Sequence, residues 1–422
     1  MVDVRFIKNI FIKKEDLNME GKEKKTTRRK FLGTTLKIGA GIAAYPTLRN
    51  LLRRSKSPFQ AFAGTEEEPE KKELRLWASG TQTIEEKWIK LENELGIKIL
   101  FSDNGNAVGP VISKMVFGDA ADIYDVNGLQ GGAEKELADQ GAILPWDMSL
   151  IPNWDEDVWP MVRNIPYHMV DGTRYGIPFT INADSMIYNA DKVPLCDTYA
   201  YVFDRTLKGK TSMEDYWANA VIFTAMYMKE NNIEGLGGMK DPGNLTEDEL
   251  ETVMEFLIKN KKEGQFRTFW SGWEQGVSLI TSGEVWCMTG WEPIVYAAQE
   301  KGINAKYAVP KEGYEGWSND LLLHKGVKKK GLYETAHEFV NWIYSGFFGN
   351  QIMKMRGYCS PTDKVIKYAE AHPDEYDPEW IKGKQKHVHD KFKKKKGETY
   401  WQNVRPDHFK LYEDWWEKLR RA

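Results

Sequence analysis

Residues 74–101 read LRLWASGTQTIEEKWIKLENELGIKILF, and this stretch decides the fold. Leu74 to Ala78 suits a β-strand. Ile84, Trp88, Leu91 and Leu95 then recur at helical spacing, and Gly96 stands where a left-handed residue closes a helix. Residues 97–101 form a second strand-like run. Strand, helix and strand in so short a span make a βαβ unit, which builds an open, largely parallel α/β sheet.

The alternation continues outward. Residues 111–117 read as helix and 121–126 as strand, and Met186-Ile187-Tyr188 is strand again. Residues 212–228 read as one long apolar helix. Thr246 and Glu249 form a capping box, opening a helix with Leu250, Val253, Met254, Leu257 and Ile258 on one face. Residues 283–288 form a strand entering a turn at Gly290. Ala336, Phe339, Val340, Ile343 and Phe347 mark a further helix, and Phe409, Tyr412, Trp416 and Leu419 the last. No internal repeat of solenoid period is present.

The chain has 422 residues, 16 Trp, and 59 Lys and Arg against 62 Asp and Glu. Its hydrophobic content of 41% and mean hydropathy of −0.57 exclude a polytopic membrane protein. Charge is uneven. Residues 1–63 hold 15 basic and 5 acidic side chains, a surplus of ten positive charges, so the rest carries −13. A body that acidic repels phosphate, which excludes nucleic acid as a partner. Cys196, Cys287 and Cys359 are far apart and form no CxxC pair. They allow one disulfide at most, and read most simply as buried small hydrophobes.

Thr27-Arg28-Arg29-Lys30-Phe31-Leu32-Gly33 precedes a weakly apolar run over 38–45, and Ala61-Phe62-Ala63 follows. Basic region, apolar region and small-residue site come in the order of an export signal. The paired arginines before Phe-Leu resemble a twin-arginine signal, which implies export to the periplasm and cleavage near Ala63. Lys37 and Pro46 interrupt the apolar run, which is well short of the ~20 residues of a spanning helix. A retained anchor is the alternative. Residues 64–73 are a charged spacer.

No HExxH, GxSxG, Walker-type loop or strand-linked GxGxxG occurs. The seven histidines show no metal-ligand spacing, and His387 and His389 beside the lysine run 393–396 read as a solvated face. The chain is therefore expected not to be an enzyme, and no metal or cofactor is implied. An exported enzyme is the competing class.

Further stretches carry a resemblance. Ala121-Asp122-Ile123-Tyr124 is followed by Gly141-Ala142-Ile143-Leu144-Pro145-Trp146-Asp147. Tyr175-Gly176-Ile177-Pro178-Phe179 runs into Met186-Ile187-Tyr188-Asn189. Met288-Thr289-Gly290-Trp291 leads to Trp317, and Gly357-Tyr358-Cys359-Ser360-Pro361-Thr362 forms a late turn. In order and spacing, from Leu74 to the C-terminus, these resemble the periplasmic substrate-binding proteins of ABC importers, in the branch of the spermidine/putrescine binders. The resemblance implies a type II two-lobed α/β fold with mainly parallel central sheets and a hinge-crossed ligand cleft. Lobe 1 would hold residues 74–182 and about 320–365, and lobe 2 residues 183–319 and about 366–422. It implies a monomer that binds a small molecule and works with ABC permease and ATPase subunits.

In that branch, aromatic faces grip a methylene chain and carboxylates pair with ammonium groups. The resemblance carries over Trp291, Trp317 and Tyr358 as cleft aromatics and Asp215 as a cleft acid. Ala218 stands where a second acid is expected, and Asn319 where the branch has an Asp. Ser79 and Asn127 replace other expected groups, and Asp184 on the crossing strand is the compensating acid. The expected ligand is amine-bearing and polyamine-like. The thinned set of acids leaves an amino-acid-like solute or an organophosphonate as the alternative, because a buried ammonium without a partner is costly.

Overall fold

The computed structural model describes residues 72–393 and 399–422. The twin-arginine signal over 1–63, the spacer up to residue 71 and residues 394–396 of the lysine run lie outside the described residues. Among the described residues no helix is long and apolar enough to cross a membrane.

The first strands are β1 (Lys72–Ala78), β2 (Ile97–Asp103), β3 (Val126–Gln130), β4 (Ile143–Leu144) and the small hairpin β5 (Met169–Val170) and β6 (Thr173–Arg174). They are followed by β7 (Ile177–Asn189), β8 (Thr211–Glu214), β9 (Phe266–Trp270), β10 (Cys287–Gly290), β11 (Ala305–Tyr307), β12 (Glu315–His324) and β13 (Tyr400–Trp401). One hydrogen-bonded series runs β2-β1-β3-β12-β7-β10-β8-β9. Its ends are parallel: β1 pairs with β2 and β3, and β8 with β9 and β10. Its middle is antiparallel, through β12, β7 and β10.

β7 joins the halves. Ile177 to Asp184 pairs with β12, while Ser185 onward pairs with β10 and β11. Each half has its own apolar core. Leu74, Leu76, Ile97, Phe179, Leu321 and Phe339 share one, and Met186, Met213, Val221, Leu250 and Cys287 the other. This is the expected two-lobed α/β architecture, crossed by the chain between its sheets.

Local chemistry explains the elements. Helix Ile89–Leu95 ends on Gly96, whose φ of 66° is left-handed, with its N–H returned to Glu92. Helix Glu247–Lys262 has both hydrogen bonds of its Thr246–Glu249 capping box, acids in its first turn and lysines in its last. Leu250, Val253, Met254 and Leu257 are buried along it.

Several boundaries differ from the sequence reading, and the strand read over 283–288 is Cys287–Gly290. The long apolar helix starts at Trp217 rather than 212, because Thr211–Glu214 is strand β8 and Tyr216 is extended. Ala120–Ile123 is a helical turn closed by Tyr124 N–H to Ala120 O, so the strand begins at Val126. The helix through Ala336 breaks at Gly346. Its φ is 104°, and a Cβ there would meet the Lys364 carbonyl at 2.4 Å.

Glu315–Asn319 lies in β12 and pairs with Thr180–Asp184 of β7. Ala369, Tyr376, Ile381, Val388 and Phe392 pack in the first core, and the final helix, Phe409–Arg421, returns to the second. The apolar stripe of residues 378–393 is helical either way; which core covers it is a matter of long-range packing.

Candidate functional site

β7 and β12 bring several of the candidate residues together. Glu315 lies directly opposite Asp184 in the β7–β12 register. Alternation along β12 puts Glu315, Trp317 and Asn319 on one face, up to the bulge after Asn319. Trp317 Nε1 donates to Asp184 Oδ2 at 3.0 Å. Tyr358 meets the Trp317 ring edge-on, with centroids 5.4 Å apart. Tyr307 Oη donates to Gly290 O at 3.0 Å and lies 3.3 Å from Asp184 Oδ1.

From the other lobe, Glu214 ends β8 and accepts from Asn219 Nδ2 at 2.8 Å. Trp291 follows β10 and packs edge-on against Trp270 at 5.0 Å. Its indole lies beside Glu214 and favours the ionised carboxylate, against burial. Both residues stand at the carboxyl ends of parallel strands, where open α/β sheets present their ligand sites.

Burial drives the electrostatics. It pushes the Asp184 carboxyl up to about 7, against the opposing pull of Lys391 and the Trp317 N–H. Burial and the neighbouring Asp184 charge raise Glu214 to about 8. Glu315 is pushed well above the carboxylate range by burial, then by Asp184 and Glu214. Neither Glu315 oxygen accepts a well-formed hydrogen bond, although Gln402 lies beside it. Burial likewise pushes the Tyr358 hydroxyl up to about 12.

The buried cation nearby is already committed. Lys391 Nζ bonds Glu292 Oε2 at 2.7 Å, Asn182 Oδ1 at 3.2 Å and Ala183 O at 3.1 Å. His387 Nε2 is 2.8 Å from Glu292 Oε1. Burial favours the neutral acid at Glu292, but His387 and Lys391 outweigh it and hold the carboxyl down at about 2. Among the described residues, Asp184, Glu214 and Glu315 have no ion-pair partner within 4.0 Å. Three neighbouring carboxyl groups, each raised by burial and by its acidic neighbours, thus lie among Trp291, Trp317, Tyr307 and Tyr358, and a cation with apolar surface would suit such a set.

The sequence-derived residues fall into two groups. Asp184, Trp317 and Tyr358 come together, Trp291 reaches them through Glu214, and Asn319 shares the Trp317 face with a buried, unpartnered Oδ1. Asp215, Ser79 and Asn127 are placed otherwise. Asp215 Oδ1 is held by Trp416 Nε1 and Arg420 Nε, both at 3.1 Å, because successive residues at a strand end turn to opposite sides. The strand-end acid beside Trp291 is Glu214, one position earlier. Ser79 caps a short 3₁₀ turn through Thr81 N–H. Asn127 is buried within β3, paired with Trp77 and Leu322, and both its side-chain polar atoms lack partners.

Glu214 and Glu315 went unread in the sequence. The alternation Glu315-x-Trp317-x-Asn319 was a usable signal. Glu214 was hidden by reading its strand as the start of a helix.

One further polar cluster lies in the first lobe. Glu134, His168 and Asp320 are buried, with ligand-type atoms within 4.8 Å of one another. His168 Nε2 is 2.9 Å from Asp320 Oδ2, Ser318 Oγ donates to the same oxygen at 3.0 Å, and Glu134 Oε2 accepts from Gly132 N–H at 2.8 Å. Burial pushes His168 down to about 3, so the imidazole is neutral, and raises Asp320 to about 7. The group ties β12 to the segment before β5.

Comparison with known proteins agrees with this architecture. Residues 111–382 match the family of bacterial extracellular solute-binding proteins. The chain is similar to the spermidine/putrescine ABC transporter substrate-binding protein PotD of Streptococcus pneumoniae, at 16% identity and TM-score 0.62 over 83% of this chain and 99% of that one. It is similar to the Tp0655 (TpPotD) lipoprotein of Treponema pallidum, at 16% identity and TM-score 0.62 over 83% and 100%. It is also similar to the binding protein MotA of A. tumefaciens B6, solved with glucopine, at 13% identity and TM-score 0.58 over 82% and 99%. With the family matched over more than half its length, the chain belongs to the bacterial extracellular solute-binding proteins.

Proposed function

We propose that this protein is the solute-binding component of an ABC importer and captures a small amine-bearing, polyamine-like ligand. The ligand is held between the lobes, the lobes close on it, and the complex delivers it to the permease and its ATPase subunits. The protein works outside the cytoplasmic membrane as a monomer and performs no catalysis of its own.

The observation that carries the reading is the Glu315 carboxyl group, buried without a hydrogen bond beside Asp184 and Glu214. An ammonium group would relieve the repulsion and supply the missing donors. Trp291, Trp317 and Tyr358 would cover the methylene chain. The solved relatives named above bear different ligand names, so the choice of ligand rests on the chemistry of these residues. The unpartnered Asn319 Oδ1, an acceptor, favours a second reading, a compact amino-acid-like solute whose ammonium group it would help to hold. An organophosphonate fits three acids poorly.

The test is a thermal-shift screen of diamines, triamines, amino acids, phosphonates and sugars. A ligand at 100 times its Kd adds ~2.7 kcal/mol of stability. Amines should shift the melting curve and phosphonates should not. A shift from sugars or phosphonates alone removes the amine reading, and silence across the library removes the transport reading.

A further inference from the structure

Cys196 and Cys287 are far apart in sequence, yet their Sγ atoms lie 3.6 Å apart. Both belong to the apolar core of the second lobe, at 2% and 0% exposure. Cys287 opens β10, the strand that ends at Gly290 just before Trp291. Cys196 sits in the connection between β7 and the short helix Ala200–Phe203, next to Leu195, which is 58% exposed. Cys359 is elsewhere, in the core of the first lobe, with its backbone bridged to Ile181.

We infer that Cys196 and Cys287 form a disulfide in the working protein. Three observations carry it. The sulfurs are already in contact, so reaching the ~2.05 Å of a covalent bond needs only a small movement shared by two side chains. The bond would close a loop of 91 residues, long enough for the cross-link to restrict the unfolded chain strongly. The family is extracellular, and such compartments keep cysteine pairs oxidised.

The oxidant is a donor disulfide. One cysteine thiolate attacks it and releases the first donor thiol, giving a mixed disulfide. The second cysteine thiolate then displaces the remaining donor sulfur. The pair loses two electrons and two protons, which leave on the two donor thiols. Burial and the Cys287 contact hold the Cys196 thiol protonated. Exchange therefore proceeds while the chain folds or when the segment carrying Leu195 opens, not through the closed core. Once made, the bond resists reductants for the same reason.

The test uses the full chain, refolded with oxidised glutathione, then denatured and alkylated without reductant. One alkylated thiol per chain, Cys359, is expected, with three after reduction and a non-reduced peptide joining Cys196 to Cys287. Reduction should lower the melting temperature by about 5 °C or more in the wild type and leave Cys196→Ser unchanged. Cys359→Ser keeps the pair, so it should show no alkylated thiol before reduction and two after, and it carries the test if Cys196→Ser does not fold. Three alkylated thiols in the oxidised wild type, or a linked peptide containing Cys359, would overturn the inference.

Discussion

Glu315 faces Asp184 across the β7–β12 pair, two buried carboxyl groups side by side on the strands that join the lobes. Like charges directly opposite in a sheet repel. Burial and this repulsion keep protons on the pair in the ligand-free protein, and a ligand cation would favour their release.

Replacing Glu315 by Gln tests this directly. A charge-assisted hydrogen bond contributes about 1.5–3 kcal/mol, so affinity for a diamine should fall about 10- to 100-fold. The ligand-free variant should melt close to wild type at neutral pH, because burial and the neighbouring acids already hold the Glu315 carboxyl protonated, as Gln mimics. Calorimetric titration and a melting curve read the two effects. Unchanged affinity would remove Glu315 from the site.

Binding should respond to pH in a definite direction. Asp184 is raised to about 7 and Glu214 to about 8, while the unfolded chain releases these protons near pH 4. The folded protein thus holds more protons between about pH 4 and 8, and ligand-free stability falls as pH rises through that window. A cationic ligand favours the ionised carboxylates, so affinity should rise toward pH 8 and binding should release protons. Titrations at pH 6.5 in buffers of different ionisation enthalpy measure that release. An equal heat in all buffers would count against the acids.

The indole of Trp317 has two separable duties. Trp317→Phe keeps a ring but removes the donor to Asp184, and should weaken amine binding about 5-fold. Trp317→Ala removes the aromatic face as well and should weaken it by about a further 10-fold. Equal losses in the two variants would mean that the ring face contributes nothing.

Lys391 and Glu292 join a helix packed on the first lobe to the segment after β10 in the second. Lys391→Met should destabilise the protein by about 3 kcal/mol, because it strands a buried carboxylate. Adding Glu292→Leu should restore part of that loss, a coupling of about 1 kcal/mol or more in urea denaturation. Strict additivity would show that the two side chains act independently.

Particular residues show how much was legible in the sequence. Gly96, the Thr246–Glu249 box and the buried stripe Leu250, Val253, Met254 and Leu257 act locally, and their periodicity is visible without a fold. Trp317 and Tyr358, carried over by resemblance, lie together with Asp184, the compensating acid of the crossing strand. Glu214 was missed because Thr211–Glu214 is a short strand leading into an apolar helix, and the helical pattern spread over both. Asp215 drew attention in its place, although its carboxylate is held by Trp416 and Arg420 from the last helix. No local pattern announces a partner two hundred residues away.

The sequence by itself determined the alternation of strands and helices, the helix ends at Gly96 and at the Thr246–Glu249 box, and the acidity of the body, since these depend on neighbours a few positions apart. Only the tertiary structure decided which acids meet. β7 had to pair with β12 at one register to bring Asp184 and Glu315 together, and β8 had to end beside Trp291 to add Glu214. Register and lobe packing are set by burial of whole sheet faces, and it is that burial which raises three ordinary carboxyl groups above their usual range.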